Sequence, residues 1–160
     1  TNAIYWVTLN DGAAGTTDND LRTTPLNGGT PTSVPPAPGA TDGVVTSSLD
    51  PSLQALGDTI YFTRTVDTSA INGVYRFKTG DAAPELVVSA NQITSIKVDD
   101  NHVYYSRQNV AGVWRAPHTP PGAGVQISDG GATRLIAQDD DFVYAISSSC
   151  CTSNMYKVIK

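Results

Sequence analysis

Short runs of apolar and β-branched residues, separated by turn-forming residues, follow one another along the whole chain. The clearest set lies at 95–98, 102–107, 113–117 and 125–128, with Asp, Asn, Gly and Pro between the runs. Runs of this length between turn signals predict β-strands. Pro and Gly interrupt each window in which a helical period could be sought. The pattern therefore predicts an all-β chain.

A β-branched residue followed by tyrosine recurs four times. The tyrosines are Tyr5, Tyr61, Tyr104 and Tyr144, with spacings of 56, 43 and 40 residues. A period of about 40–45 residues is typical of β-propeller blades. We therefore predict four copies, at 1–38, 47–90, 91–129 and 130–160. We expect Tyr61, Tyr104 and Tyr144 to be mostly buried at equivalent positions, because large aromatic residues at repeated strand positions pack between sheets.

A second landmark follows each tyrosine, and it is an apolar residue leading to a basic one. A third precedes the last three tyrosines, and it is an apolar stretch that ends in turn residues. The basic residues of the second landmark are Arg22, Arg76, Arg115 and Lys157. Their recurrence predicts one shared repeat position on a solvated or inter-blade face.

The predicted strands number three, four, four and three in the successive copies. The first copy lacks an inner strand and the last lacks an outer one. Because the blades of a repeat protein need neighbours on both faces, we expect residues 1–160 to be one segment of a partial propeller of about four four-stranded blades. We expect a ring of six to eight blades, completed by other polypeptide, either the remaining blades or another copy. The first residue, Thr1, agrees with a processed chain or a fragment.

The segment 29–50 is rich in proline and accounts for the long first interval. Its composition argues against a central strand, so it predicts a surface loop or an insertion between the first two copies. A loop on a rigid scaffold is a candidate for binding a partner, and a tolerated insertion is the alternative.

Charge and hydropathy exclude two classes of partner. The net charge is −5 and the pI about 4.7, so no basic stripe is available to neutralise nucleic-acid phosphates. No apolar run approaches the roughly 20 residues of a membrane-spanning helix. Charged residues make up 16% of the chain, with abundant Thr, Ser, Gly and Pro, which favours an extracellular or periplasmic protein, the cell surface included.

The two cysteines, Cys150 and Cys151, are adjacent and fall in a predicted hairpin of the last copy. Neighbouring cysteines can form a vicinal disulfide, pair with cysteines of another chain, or stay reduced. A vicinal disulfide is the one candidate site feature that the sequence singles out, because strained, exposed disulfides are often functional.

Other chemistry-bearing residues are sparse. The histidines, His102 and His118, lack metal-ligand spacing, and the acidic groups at 99–100 and 139–141 lack the spacing of a calcium loop and fit a repeated turn. Glu85 is the single glutamate, and no catalytic motif is present. We therefore assign no catalytic, cofactor-binding or metal-binding residue, leave any cofactor open, and expect a protein without enzymatic activity.

The sequence resembles the YWTD type of propeller repeat. The resemblance rests on the Ile-Tyr-Trp-Val-Thr stretch at 4–8, the Leu-Arg-Thr-Thr-Pro-Leu-Asn-Gly-Gly stretch at 21–29 and the strand-turn-strand segment at 96–105, although the motif's aspartate is absent from all four copies. The segment at 96–105 is also similar to related uncharacterised propellers of secreted bacterial proteins. The resemblance implies a non-catalytic binding or scaffold propeller that engages protein or glycan outside the cell. There are two alternatives. The chain could be one part of a propeller enzyme (a lyase, hydrolase or quinoprotein) whose catalytic groups lie on other blades, or it could be a structural subunit of an extracellular assembly.

Overall fold

The computed structural model describes residues 3–8, 20–36, 53–64, 72–119, 121–131, 134–148 and 153–160. In these residues the chain forms fourteen strands in four antiparallel sheets, and no helix. The prediction of an all-β chain is confirmed. The sheets follow one another in sequence, each built from consecutive strands, so we number them from first to fourth.

The first two sheets cover the N-terminal half. The first has the order β1 (Ala3–Thr8), β2 (Asp20–Pro25) and β3 (Thr32–Ser33). The second has the order β4 (Leu53–Leu56), β5 (Thr59–Arg64), β6 (Gly73–Lys78) and β7 (Glu85–Ser89). Both are meanders in which each strand pairs antiparallel with the next strand along the chain.

The last two sheets repeat this arrangement. The third contains β8 (Ile93–Val98), β9 (His102–Arg107), β10 (Val110–Pro117) and β11 (Val125–Ser128), and the fourth contains β12 (Arg134–Gln138), β13 (Phe142–Ser148) and β14 (Ser153–Ile159). The predicted strand numbers of three, four, four and three are therefore found in the described residues. Two strands of the third copy have the predicted bounds, β9 and β11, whereas β8 and β10 begin two and three residues earlier than predicted.

The strand register shows which repeat positions are equivalent. Tyr61, Tyr104 and Tyr144 each lie directly opposite a basic residue on the next strand of their sheet, which is the basic residue of the second landmark. Tyr5 instead lies opposite Thr23, and Arg22 lies opposite Trp6. The prediction that Arg22 shares the position of Arg76 is therefore wrong by one residue, and a shift of one residue in a strand moves a side chain to the other face of the sheet.

Each sheet packs against the next through an apolar core, and there are three such cores in the described part of the chain. Residues of the first and second sheets build one, those of the second and third another, and those of the third and fourth the last. In each core the tyrosine-bearing face of one sheet meets the following sheet's face that carries the β-branched residue before the tyrosine. Those residues are Ile60, Val103 and Val143, all of them buried.

The position of a sheet in this order decides how far its tyrosine is buried. Tyr61 and Tyr104 are buried as predicted, because a following sheet covers them. Tyr144 is only half-buried, so the prediction of burial is wrong there. Its side chain lies on the face of the fourth sheet that points away from the third.

The proline-rich segment is described as far as residue 36. Two of its residues form β3, which pairs with β2 and lies at the edge of the first sheet in the described part of the chain. Val34 follows and is buried against the second sheet. An edge position agrees with the argument that prolines exclude this segment from a central strand. The remainder of the predicted loop, 37–50, lies outside the described residues.

Candidate functional site

An aspartate fixes the turn between the first and second strands in the third sheet. The Asp99 Oδ1 accepts hydrogen bonds from the backbone N–H groups of Asn101 and His102, at 3.0 and 2.9 Å. The Tyr104 hydroxyl donates to Oδ2 of the same carboxylate, at 3.0 Å. Aspartate favours turns because its side chain bonds to backbone a few residues on.

The fourth sheet repeats this turn. Asp139 Oδ1 accepts from the N–H groups of Asp141 and Phe142, at 3.0 and 2.8 Å, and Oδ2 accepts from the Tyr144 hydroxyl, at 2.7 Å. These bonds give both aspartates a structural role in the turn. No group of three His, Cys, Asp or Glu side chains in the described residues lies close enough to hold a metal ion.

The residue that directly follows the third strand contacts the tyrosine of the preceding sheet at every junction between sheets. Thr79 follows β6, and its hydroxyl shares a hydrogen bond with that of Tyr5. His118 follows β10, and its Nδ1 lies 3.1 Å from the Tyr61 hydroxyl. The sequence analysis missed this repeated contact. A sequence signal for it exists, because the contacting residue always lies three positions after the residue that pairs with the tyrosine of its own sheet.

Lys160 occupies this position at the third junction. Its Nζ lies 3.0 Å from Asp99 Oδ2 and 5.4 Å from the centre of the Tyr104 ring. Burial raises the pKa of Asp99, but the hydrogen bonds from Asn101, Lys160, His102 and Tyr104 outweigh it and lower this pKa to about 2. The contact therefore stabilises a carboxylate at the interface of the third and fourth sheets.

A groove opens at the first junction, where the corresponding side chains are small. Thr79 stands where the later sheets have His118 and Lys160. Ala3, two residues before Tyr5, stands where the third and fourth sheets have His102 and Phe142, two residues before their own tyrosines. The small side chains leave a groove of about 390 Å³ between the first and second sheets.

Both sheets contribute to the lining of this groove, which we call the 1–2 groove. The first sheet supplies Ala3, Thr23, Pro25 and Thr32. The second sheet supplies Asp58, Lys78 and Thr79. Three threonines, one ion pair, an alanine and a proline therefore line the same space, and the hydroxyl of one of them, Thr79, is already bonded to Tyr5.

The ion pair joins two exposed side chains at the rim of the groove. Lys78 Nζ lies 2.6 Å from Asp58 Oδ2, and this hydrogen bond lowers the pKa of Asp58 and raises that of Lys78. Asp58 lies in the tight turn after β4, where Gly57 has a φ of 57°, in the left-handed region that glycine adopts without steric cost. The pair brings no net charge to the groove.

The residues singled out in the sequence do not form one cluster in the described part of the chain. His118 packs against Tyr61, with ring centres 5.1 Å apart, and His102 begins β9 with its backbone bonded to Asp99. Arg76 lies on the second sheet and binds Glu85 through two hydrogen bonds, of 2.9 and 2.6 Å. Cys150 and Cys151, the candidate vicinal disulfide, lie outside the described residues.

Comparisons with known proteins do not extend the assignment beyond this geometry. No helix long and apolar enough to cross a membrane occurs in the part of the chain that the structure describes. No protein-family model matches the sequence, and a search of curated proteins gave no match.

Proposed function

We propose that this chain is a non-catalytic binding module that works outside the cytoplasm and holds a neutral glycan in the 1–2 groove. In this proposal the four sheets are blades of a YWTD-like propeller ring of six to eight blades, and the rigid array serves as the scaffold of the site. The observation that carries the proposal is the groove itself, which opens where the repeat replaces large residues with small ones.

The size of the groove supports a ligand of the size of a few sugar units. Small-molecule sites in proteins are concave, with volumes of about 300–1,000 Å³, and combine apolar walls with a few convergent polar groups. The 1–2 groove, at about 390 Å³, falls within that range. Its place between two packed sheets keeps the walls in position without a ligand.

The chemistry of the lining supports a neutral, polyhydroxylated ligand. The hydroxyl groups of Thr23, Thr32 and Thr79 both donate and accept hydrogen bonds, as sugar hydroxyls do. Asp58 adds an acceptor and Lys78 adds donors, while their ion pair leaves the rim without net charge. Pro25 and Ala3 offer apolar surface for the C–H face of a sugar ring.

Composition supports a location outside the cytoplasm. Charged residues are scarce, at 16% of the chain, while glycines number 14 and prolines 10. This profile, together with the resemblance to YWTD repeats, favours a secreted or cell-surface protein. An extracellular location brings the groove into contact with glycans.

A glycan array of neutral oligosaccharides, probed with the labelled chain, is the first test. Titration calorimetry with a bound oligosaccharide then compares the wild type with Thr79→His, which places in the groove the residue found at this position in the third sheet. We expect the affinity to fall at least about tenfold, since each 1.4 kcal/mol of lost contact is a factor of ten. Thr119→His is the matched control, because Thr119 is exposed and lies outside the groove lining, and we expect it to leave the affinity unchanged.

Three results would overturn parts of the proposal. An array on which no neutral oligosaccharide binds would exclude the glycan, and binding of a protein instead would favour the other partner class. An affinity that Thr79→His leaves unchanged would place the ligand elsewhere. Conversion of the bound oligosaccharide, detected by chromatography, would favour the propeller-enzyme alternative over a non-catalytic module.

A further inference from the structure

Apolar residues are exposed on the outer face of the fourth sheet at positions that are buried in the inner sheets. Met155 is 69% exposed, whereas Val74 and Val113 at the same repeat position are fully buried. Met155 lies opposite Ile146, and Lys157 lies opposite Tyr144, so these side chains share one face. We call it the tail face.

The first sheet has a complementary exposed face. Ile4 is 49% exposed, whereas its equivalents Ile60 and Val143 are 1% and 0% exposed. Trp6 lies two residues further along the same strand, on the same side of the sheet, and is half-buried. We call this the head face.

Exposed apolar side chains are concentrated at these two ends of the array. Of the six large hydrophobic residues exposed in the described part of the chain, five lie in the first or fourth sheet or in the turn after β2. The sixth is Val125, on the outer strand of the third sheet. The six residues are Ile4, Leu26, Val125, Ile136, Met155 and Ile159. Exposed apolar side chains that gather on one face mark an interaction site on a soluble protein.

The head and tail faces are the two halves of an interface that the chain already forms three times. At each inner junction a tyrosine-bearing face packs against the next sheet's β-branched face. The tail face carries Tyr144 and is of the first kind. The head face carries Ile4 and is of the second kind. Pairing of two heads or two tails would join faces of the same kind, which no inner junction does.

We propose that two copies of this chain associate head to tail, with the tail face of each copy packed on the head face of the other. Each copy supplies both kinds of face, so the second copy satisfies both ends at once. Head-to-tail contacts close into a ring when the rotation between copies allows it. Two copies of four sheets form a ring of eight, within the usual range of four to eight blades for propellers.

The proposal does not depend on the 1–2 groove, because the groove lies at an inner junction and opens between two sheets of one copy. Leu26 supports the proposal from a second direction. It occupies the position of Thr79, His118 and Lys160, which contact the tyrosine of the preceding sheet, and it is exposed in the first sheet. In the head-to-tail pair its neighbour is Tyr144 of the other copy.

The test is the mass of the 160-residue chain in solution, measured by size-exclusion chromatography with light scattering. We expect twice the 16.8 kDa of one chain, with dissociation on dilution. Ile4→Asp and Met155→Asp each place a charge in both junctions of the ring. We expect each to raise the concentration for half-association at least about tenfold, with the β-sheet circular dichroism spectrum unchanged.

Mixing the two variants distinguishes head-to-tail pairing from pairing of like faces. The Ile4→Asp chain keeps its tail face, and the Met155→Asp chain keeps its head face. We therefore expect an equimolar mixture of the two variants to form a heterodimer with one intact junction, whereas a dimer of either variant alone has no intact junction. Val125→Asp is the matched control, because it also places a charge at an exposed apolar residue, and we expect it to stay dimeric.

Four results would overturn the proposal. A wild-type chain that is monomeric at the highest concentration reached would exclude a second copy. Association lost in only one of the two variants would indicate pairing of like faces. A dimer that neither variant weakens would place the interface elsewhere. A series of ever larger species would show head-to-tail contacts that do not close.

Discussion

The third and fourth sheets carry the same repeat pattern, and they differ in what covers one face. Tyr104 and Tyr144 each donate a hydrogen bond to the aspartate of the preceding turn, yet Tyr104 is buried and Tyr144 is half-buried. Local sequence therefore sets the strand, the turn and the hydrogen bond. Burial, which supplies most of the stabilising free energy, comes from the following sheet.

This difference implies that a single sheet of the array is not a stable unit by itself. In a repeat protein, stability is approximately the sum of intrinsic repeat stabilities and nearest-neighbour interface terms. The third sheet has two such interfaces in one chain, and the fourth has one. Equivalent substitutions in the two sheets measure the interface term directly.

Truncation of the two tyrosines is expected to give the largest difference. Tyr104→Ala should lower the free energy of unfolding by roughly 3–5 kcal/mol, the usual cost of removing a large core aromatic. Tyr144→Ala should cost markedly less, because much of its ring already contacts water. Urea denaturation followed by circular dichroism measures both, in a chain that also carries Ile4→Asp so that association does not contribute.

Equal losses for the two substitutions would contradict the comparison. They would show that the tyrosine stabilises its own sheet, through the strand or the bond to aspartate, rather than the junction. Tyr104→Phe and Tyr144→Phe separate these contributions, because each removes only the hydroxyl group. We expect Tyr104→Phe to cost about 1 kcal/mol, the typical net worth of one hydrogen bond, and Tyr144→Phe to cost less, because its hydrogen bond to Asp139 is exposed to water.

The two turn aspartates are expected to differ next. Asp99 contacts Lys160 of the fourth sheet, whereas Asp139 makes only the bonds within its own sheet among the contacts described. Lowering of the Asp99 pKa from 3.8 to about 2 corresponds to about 2 kcal/mol, at 1.36 kcal/mol per pKa unit. We therefore expect Asp99→Asn to cost about 2 kcal/mol at neutral pH, and Asp139→Asn to cost less, by urea denaturation.

The pH dependence of this difference follows from the sign of the shift. Because the pKa of Asp99 is lower in the folded state, its contribution is fully present above the unfolded-state value near 3.8 and is lost as the pH falls toward 2. Wild type and Asp99→Asn should therefore converge in stability as the pH falls through this window. Curves that stay parallel from pH 7 to pH 2 would show that the carboxylate charge is not responsible.

Much of the fold could be predicted from the sequence, because it depends on local signals. The Asp-rich turns, the β-branched and Tyr pairs and the spacing between them place the strands and their order. The position of Arg22 was predicted one residue out, because an apolar-to-basic motif does not reveal strand register. In the first sheet, the pairing of β1 with β2 places Thr23, rather than Arg22, opposite Tyr5.

The 1–2 groove could not be predicted, because it depends on what is missing from two distant repeat positions. Thr79 and Ala3 are ordinary small residues in the sequence, and each becomes significant only when its sheet packs on the other. The burial of Tyr144 was mispredicted for a related reason. Repeat equivalence in sequence says nothing about whether a neighbouring sheet is present.

The smallest expected effect concerns the one position where the head face departs from the inner sheets. Arg22 occupies the place of Tyr75 and Tyr156, the residues that face the preceding sheet, and the tail face that packs on it in the proposed pair carries Lys157. Two like charges there oppose the pairing, whereas an aromatic ring attracts a cation by about 0.5–1 kcal/mol at an exposed site. Arg22→Tyr should therefore strengthen dimerisation, with the concentration for half-association falling about two- to fivefold.

Sedimentation at several salt concentrations measures this change in association. The wild type should associate more tightly as salt screens the repulsion, while the variant should depend less on salt. The same substitution in the Ile4→Asp chain should leave the monomer unchanged. If Arg22→Tyr instead weakens the dimer, the head face does not meet Lys157, and the head-to-tail register drawn from the inner junctions is wrong.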